Sequence, residues 1–120
     1  MWEVRKKEGE KMDYLQMESY LKAISDHNRM LILKYLMTES LCICEFTELI
    51  DMTQPAISQH MRKLKQAELV TEEKRGRWTI WSLNIRHPLY PMLIHLLSLL
   101  PEPERTVATL VAEGKKVVCE

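Results

Sequence analysis

Along this chain, stretches with apolar residues every third or fourth position alternate with short polar breaks. Tyr14, Met17, Leu21 and Ile24 recur on one face and predict an amphipathic helix from Lys11 onward. Ser25-Asp26 punctuates it, and Asp26 is suited to cap a second helix carrying Met30, Leu33, Leu36 and Met37. A short third helix opens at Ser40 or Leu41, with Phe46, Leu49 and Ile50 inward and Asp51-Met52 as the following turn. Thr53 caps a fourth helix with Pro55 in its first turn, where a missing N–H is no loss.

At about 100° per residue the fourth helix divides into two arcs. Ala56, Ile57, His60, Met61, Leu64 and Ala67 share one side, and Gln54, Pro55, Ser58, Gln59, Arg62, Lys63, Lys65 and Gln66 the other. The polar arc carries amides, a hydroxyl and a guanidinium, the groups that read base edges and phosphates. Two β-branched and aromatic runs follow, Leu69 to Glu73 and Trp78 to Leu83, joined by Lys74-Arg75-Gly76-Arg77. This predicts a hairpin with three cations at its tip, anchored on the helices by Trp78 or Trp81. Pro88 to Leu100 is apolar nearly all round, which in a small chain calls for a partner surface.

The fold class expected is mainly α with a β-hairpin, a winged helix-turn-helix that dimerises through the first and last long helices. Residues 11–100 are expected to form that domain, between a flexible arm at 1–10 and a tail at 101–120 able to form a short helix. With 120 residues, 46% hydrophobic and 28% charged, the chain suits one globular domain. The start lacks a secretory apolar region, and no run is long enough to span a bilayer, so a cytoplasmic location is expected.

Net charge is formally zero, but its distribution is uneven. Residues 53–86 hold seven basic side chains against three acidic, a surplus of four placed on the fourth helix and the hairpin. Such a local surplus steers toward a polyanion and points to double-stranded DNA. Gln54, Ser58, Gln59, Arg62 and Lys63 on the helix, with Lys74, Arg75 and Arg77 on the hairpin, are the candidate contacts. No nucleophile–base set, paired carboxylates or phosphate-cradling glycine loop is evident, so an enzyme is not expected.

The three cysteines are Cys42, Cys44 and Cys119. Cys42 and Cys44 fall where the third helix begins, and unpaired N–H groups there are expected to lower thiol pKa values. Two soft donors select soft ions: As(III), Sb(III), Cd(II), Pb(II), Zn(II) or Cu(I). Tight capture needs more than two ligands. Cys119, behind a hinge at Gly114, is either the third sulfur, from its own or a partner subunit, or a stray terminal cysteine. The pair itself is either a ligand set or two small buried residues. His60 and His95 read as core histidines, His27 as part of a helix cap, and the eight methionines as packing.

At this level of detail SDHNRMLILKYL, LCICEFTELI, TQPAISQHMRKLKQAELV and KRGRWTIWSL resemble the ArsR/SmtB-type metal-sensing repressors. Cys42-Ile43-Cys44 is similar to the Cys-x-Cys of the arsenical-resistance members and of related cadmium and lead sensors. The resemblance implies a homodimer that holds operator DNA and releases it on binding a thiophilic ion, As(III) or Sb(III) before Cd(II), Pb(II) or Zn(II), with no permanent cofactor. It implies effector ligands at Cys42 and Cys44 and DNA contacts at Gln54, Ser58, Gln59, Arg62, Arg75 and Arg77. Thr47 stands where some members carry a third cysteine, and Glu45 where many carry aspartate. The family's second site matches only at His87, with Ile85, Ser98 and Pro101 at the other three places, so that zinc site is expected to be absent. A redox-sensing repressor, a repressor of this fold with no metal sensing, and a winged helix that does not bind DNA are the alternatives.

Overall fold

The computed structural model describes residues 12–114. Cys119 and the arm at 1–10 lie outside the described residues. The elements run α1 (Tyr14–Ile24), α2 (His27–Leu36), β1 (Leu41–Cys42), α3 (Ile43–Leu49), α4 (Gln54–Gln66), β2 (Val70–Arg75), β3 (Trp78–Leu83), α5 (Tyr90–Ser98) and α6 (Val107–Ala112).

Local chemistry sets the helix starts. The Asp13 carboxylate accepts the Gln16 N–H at 2.8 Å, while the Gln16 side chain accepts the Asp13 N–H, closing a reciprocal cap. Asp26 accepts the Arg29 N–H at 3.0 Å and Thr53 the Ala56 N–H at 3.3 Å, as the sequence led one to expect. At the other end of α4, Glu68 adopts φ +62°. The Leu69 N–H there reaches the Leu64 carbonyl and the Glu68 N–H the Lys65 carbonyl, a Schellman closure.

One core runs through the chain, built on Tyr20, Ile32, Leu33, Phe46, Ile57, Met61, Leu64, Leu69 and Trp81. Trp81 is the wing's anchor at 7% exposure, and Trp78 is only half-buried. Val107 and Leu110 of α6 join the same core.

Two elements differ from the sequence reading. The third helix starts at Ile43, because Leu41 and Cys42 are extended and pair with Trp81 and Ile80 of β3. The hairpin therefore grows into a three-stranded antiparallel sheet, in the order β1-β3-β2. In α1 the buried residues are Tyr20 and Ala23, while Tyr14 and Leu21 are exposed. That helix meets the core near its C-terminal end, so the face read from spacing is split: Ile24 packs against the core and Met17 is half-buried, while Tyr14 and Leu21 look outward.

Candidate nucleic-acid interface and effector site

Helices α3 and α4 pack together across the Ile50–Thr53 turn, and β2–β3 follows directly. Ile57, Met61 and Leu64 plant α4 in the core. Gln54, Gln59, Arg62 and Lys63 are exposed and Ser58 half-exposed, all on the arc the sequence assigned to DNA. The structure splits that arc. Ser58, Arg62 and Lys65 face the wing, lining a cleft with Glu72, Thr79 and Trp81. Lys63 lies instead with Gln66 beside Leu15, Glu18 and Lys22 of α1. Lys65 contacts the Glu72 carboxylate, tying the recognition helix to the wing.

The wing strands pair without interruption from Val70↔Leu83 to Arg75↔Trp78. Two residues remain for the loop, and Gly76 takes φ +62° at the first, the glycine-first pattern of a type II′ turn. Lys74, Arg75 and Arg77 are exposed at this tip. Arg75 donates to Glu73 at 3.0 and 3.2 Å, and the Arg77 guanidinium sits 5.5 Å from the Trp78 ring centre.

His95 of α5 is exposed, against its reading as a core histidine, whereas His60, half-buried on the inner side of α4, is held by polar partners. Its Nδ1 lies 3.3 Å from an Arg29 guanidinium nitrogen and 3.8 Å from the Asp26 carboxylate. Arg29 Nε also donates to the Ala23 carbonyl at 2.6 Å, so one guanidinium joins the ends of α1 and α2 to the recognition helix. His87 is buried, stacks on Tyr20 at 5.2 Å and accepts the Leu89 N–H; burial lowers its pKa.

Cys42 and Cys44 converge, with their sulfurs 2.6 Å apart. Cys42 is 2% exposed and Cys44 half-buried. Burial pushes the Cys42 thiol well above the ordinary thiol range, aided by the hydrogen bond with Cys44 and the Glu45 charge; a backbone hydrogen bond from Glu45 offsets this only in part. The expected lowering at a helix N-terminus is thus overturned for Cys42. Its sulfur has left water, and the Glu45 carboxylate, 1% exposed, sits at the same helix start and accepts the Cys42 N–H at 2.9 Å. The signal was available, since a glutamate three residues after a helix-starting residue is the capping spacing.

The pair opens into a cleft of about 250 Å³ whose other walls are Gln54 of α4 and Arg77, Trp78 and Thr79 of the wing. The sequence did not bring Gln54 or the wing to the cysteines. A larger cavity of about 770 Å³ lies among His27, Tyr35, Glu48 and Arg105, away from both thiols. Among the described residues, no group of three or more His, Cys, Asp or Glu side chains is arranged to hold a metal ion. No described helix is long and apolar enough to cross a membrane.

A helix-turn-helix with an exposed polar recognition arc and a cation-tipped wing defines a DNA-binding regulator. Residues 26–72 match the family model described as bacterial regulatory protein, arsR family. The arsenical resistance operon repressor of Staphylococcus xylosus is 38% identical over 73 residues, covering 61% of this chain and 70% of that protein. The repressor of the same name from Staphylococcus aureus is 35% identical over 104 residues, covering 86% and 98%. HlyU from Vibrio cholerae N16961 superposes with TM-score 0.66 at 26% identity over 73% of this chain and 97% of its own. The chain belongs to the arsR family of transcriptional repressors, and it is not an enzyme.

Proposed function

We propose that this repressor binds operator DNA as a homodimer and releases it when As(III) or Sb(III) is captured by Cys42 and Cys44, with Cys119 as a third sulfur. The observation that carries the reading is the shared cleft: both thiols face a space walled by the first residue of the recognition helix and by the wing tip. An ion closing on the sulfurs displaces groups that touch DNA, with no long relay needed. Gln54, Ser58, Gln59 and Arg62 read the major groove, while Lys63, Lys74, Arg75 and Arg77 hold phosphates.

The raised Cys42 thiol favours a hydroxylated metalloid over a bare cation. Arsenous acid exchanges each As–OH for As–S, and the departing hydroxide takes the thiol proton away as water. Cd(II), Pb(II) or Zn(II) must instead drive the proton into solution. The same neutral thiol is a poor nucleophile toward peroxide, which disfavours a redox sensor. The names of the staphylococcal relatives support an arsenic-type effector. Dimerisation through α1 and α5 is supported by outward apolar residues on them, among them Leu15, Leu21, Met92 and Leu96, with Leu99 just beyond α5.

The test is fluorescence anisotropy of a labelled operator with reduced protein during As(III) titration. Wild type should dissociate, while Cys42→Ser/Cys44→Ser should bind DNA equally well and ignore As(III). A double variant that still lets go would refute the sensing role.

A further inference from the structure

The last carbonyls of a helix have no partner within it. At the end of α1 they are taken up by Arg29, which stands in the first turn of α2. Its Nε donates to the Ala23 carbonyl at 2.6 Å, and one amino nitrogen reaches the Lys22 carbonyl at 3.5 Å. The other amino nitrogen lies 3.3 Å from Nδ1 of His60, at the middle of α4. An arginine cannot accept, so Nδ1 is the acceptor of that bond. The Arg29 backbone is held in turn by the Asp26 cap at 3.0 Å. Three nitrogens of one rigid plane thus hold α1 and α4 in angle as well as in distance. Packing alone leaves room for movement, since beside Arg29 the two helices are parted by an open groove of about 350 Å³. Lys22 of α1 and Lys63 of α4, two like charges, line its sides. His60 adjoins Gln59 and lies two residues before Arg62, so turning α4 about this bond re-aims both groove-reading side chains.

We infer that Arg29 is a positioning residue for operator recognition: through His60 it fixes the recognition helix against α1 and so sets the half-site spacing the dimer accepts. The inference rests on reading the protein as a homodimer joined through α1. In a two-fold dimer the angle between α1 and α4 is applied twice, so a small rotation changes the separation of the two recognition helices. Releasing the clamp leaves each helix able to read its own half-site, while the pair no longer demands one separation.

The full chain is titrated onto a palindromic duplex selected from random DNA with the wild-type protein. The same duplex with one base pair added or removed at its centre, and a single half-site, complete the set. Wild type should prefer the parent spacing by about tenfold or more, and Arg29→Met and His60→Leu should cut that preference to about twofold or less. Affinity for the single half-site should stay within about twofold of wild type in both. His60→Gln, whose amide oxygen can accept from Arg29, should keep the preference, while Arg29→Lys, which keeps the charge without the fork, should lose it. His60→Leu leaves the bonds from Arg29 to α1 in place, and so carries the test if Arg29→Met does not fold. Equal losses on the half-site and the full duplex would mean a merely structural role and overturn the inference. An unchanged spacing preference in His60→Leu overturns it too, and leaves the dimer standing. A wild type indifferent to spacing removes the dimeric reading and this inference together.

Discussion

Cys42 concentrates the chemistry of the site in one proton. Its thiol is buried, touches Cys44 and feels the negative charge of Glu45, and all three favour the neutral form. That proton must leave whenever a bare cation binds, and leaves within water when arsenous acid binds. Between pH 6 and 8, therefore, Cd(II) affinity should climb by about tenfold or more per pH unit, while As(III) affinity should stay nearly flat. Isothermal titration in buffers of different ionisation enthalpy counts the released protons. A Cd(II) affinity independent of pH would show that Cys42 is already ionised. Sequence spacing alone identified the pair but gave the wrong sign for this thiol. Helix position is visible in a sequence; loss of solvent around one sulfur depends on β1 pairing with β3, which a two-residue strand does not announce.

The recognition helix was the most legible element, because its cap, its first-turn proline and two clean arcs all agree. Thr53 and Pro55 act at its start as expected. Its far end holds a local conflict instead. Glu68 occupies the left-handed position that glycine favours, held by Schellman bonds and by Asn84 donating to its carbonyl at 2.8 Å. Glu68→Gly should stabilise the protein by about 0.5–1 kcal/mol, relief of the Cβ clash exceeding the added chain entropy. Thermal unfolding should shift upward by a few degrees; a downward shift would mean that the glutamate side chain contributes more than its backbone costs. The face of α1 was less legible. Periodicity shows that an apolar stripe exists, and does not say whether it faces its own core or another chain.

At the scale of the molecule, that question concerns assembly. On and just beyond α5, Leu93 and Leu97 point into the core while Leu96 and Leu99 stay exposed, Leu99 at 68%. The exposed side of α1, with Leu15 at 76%, is similarly apolar. Leu96→Glu is expected to leave the monomer fold intact, since that side chain lies outside the core. In analytical ultracentrifugation it should turn dimers into monomers, with operator affinity lost because two half-sites no longer bind together. A Leu96→Glu protein that stays dimeric would place the interface elsewhere.

The central claim is an energetic coupling between the thiols and the operator, carried by Gln54 and the wing residues that wall one cleft. Coupling between two binding sites is reciprocal. The decisive measurement is therefore As(III) affinity for the reduced dimer, free and saturated with operator, beside operator affinity with and without As(III). Both ratios should be the same factor, well above one, and should collapse to one in Cys42→Ser/Cys44→Ser. Full occupancy of the thiols with operator affinity unchanged would contradict it.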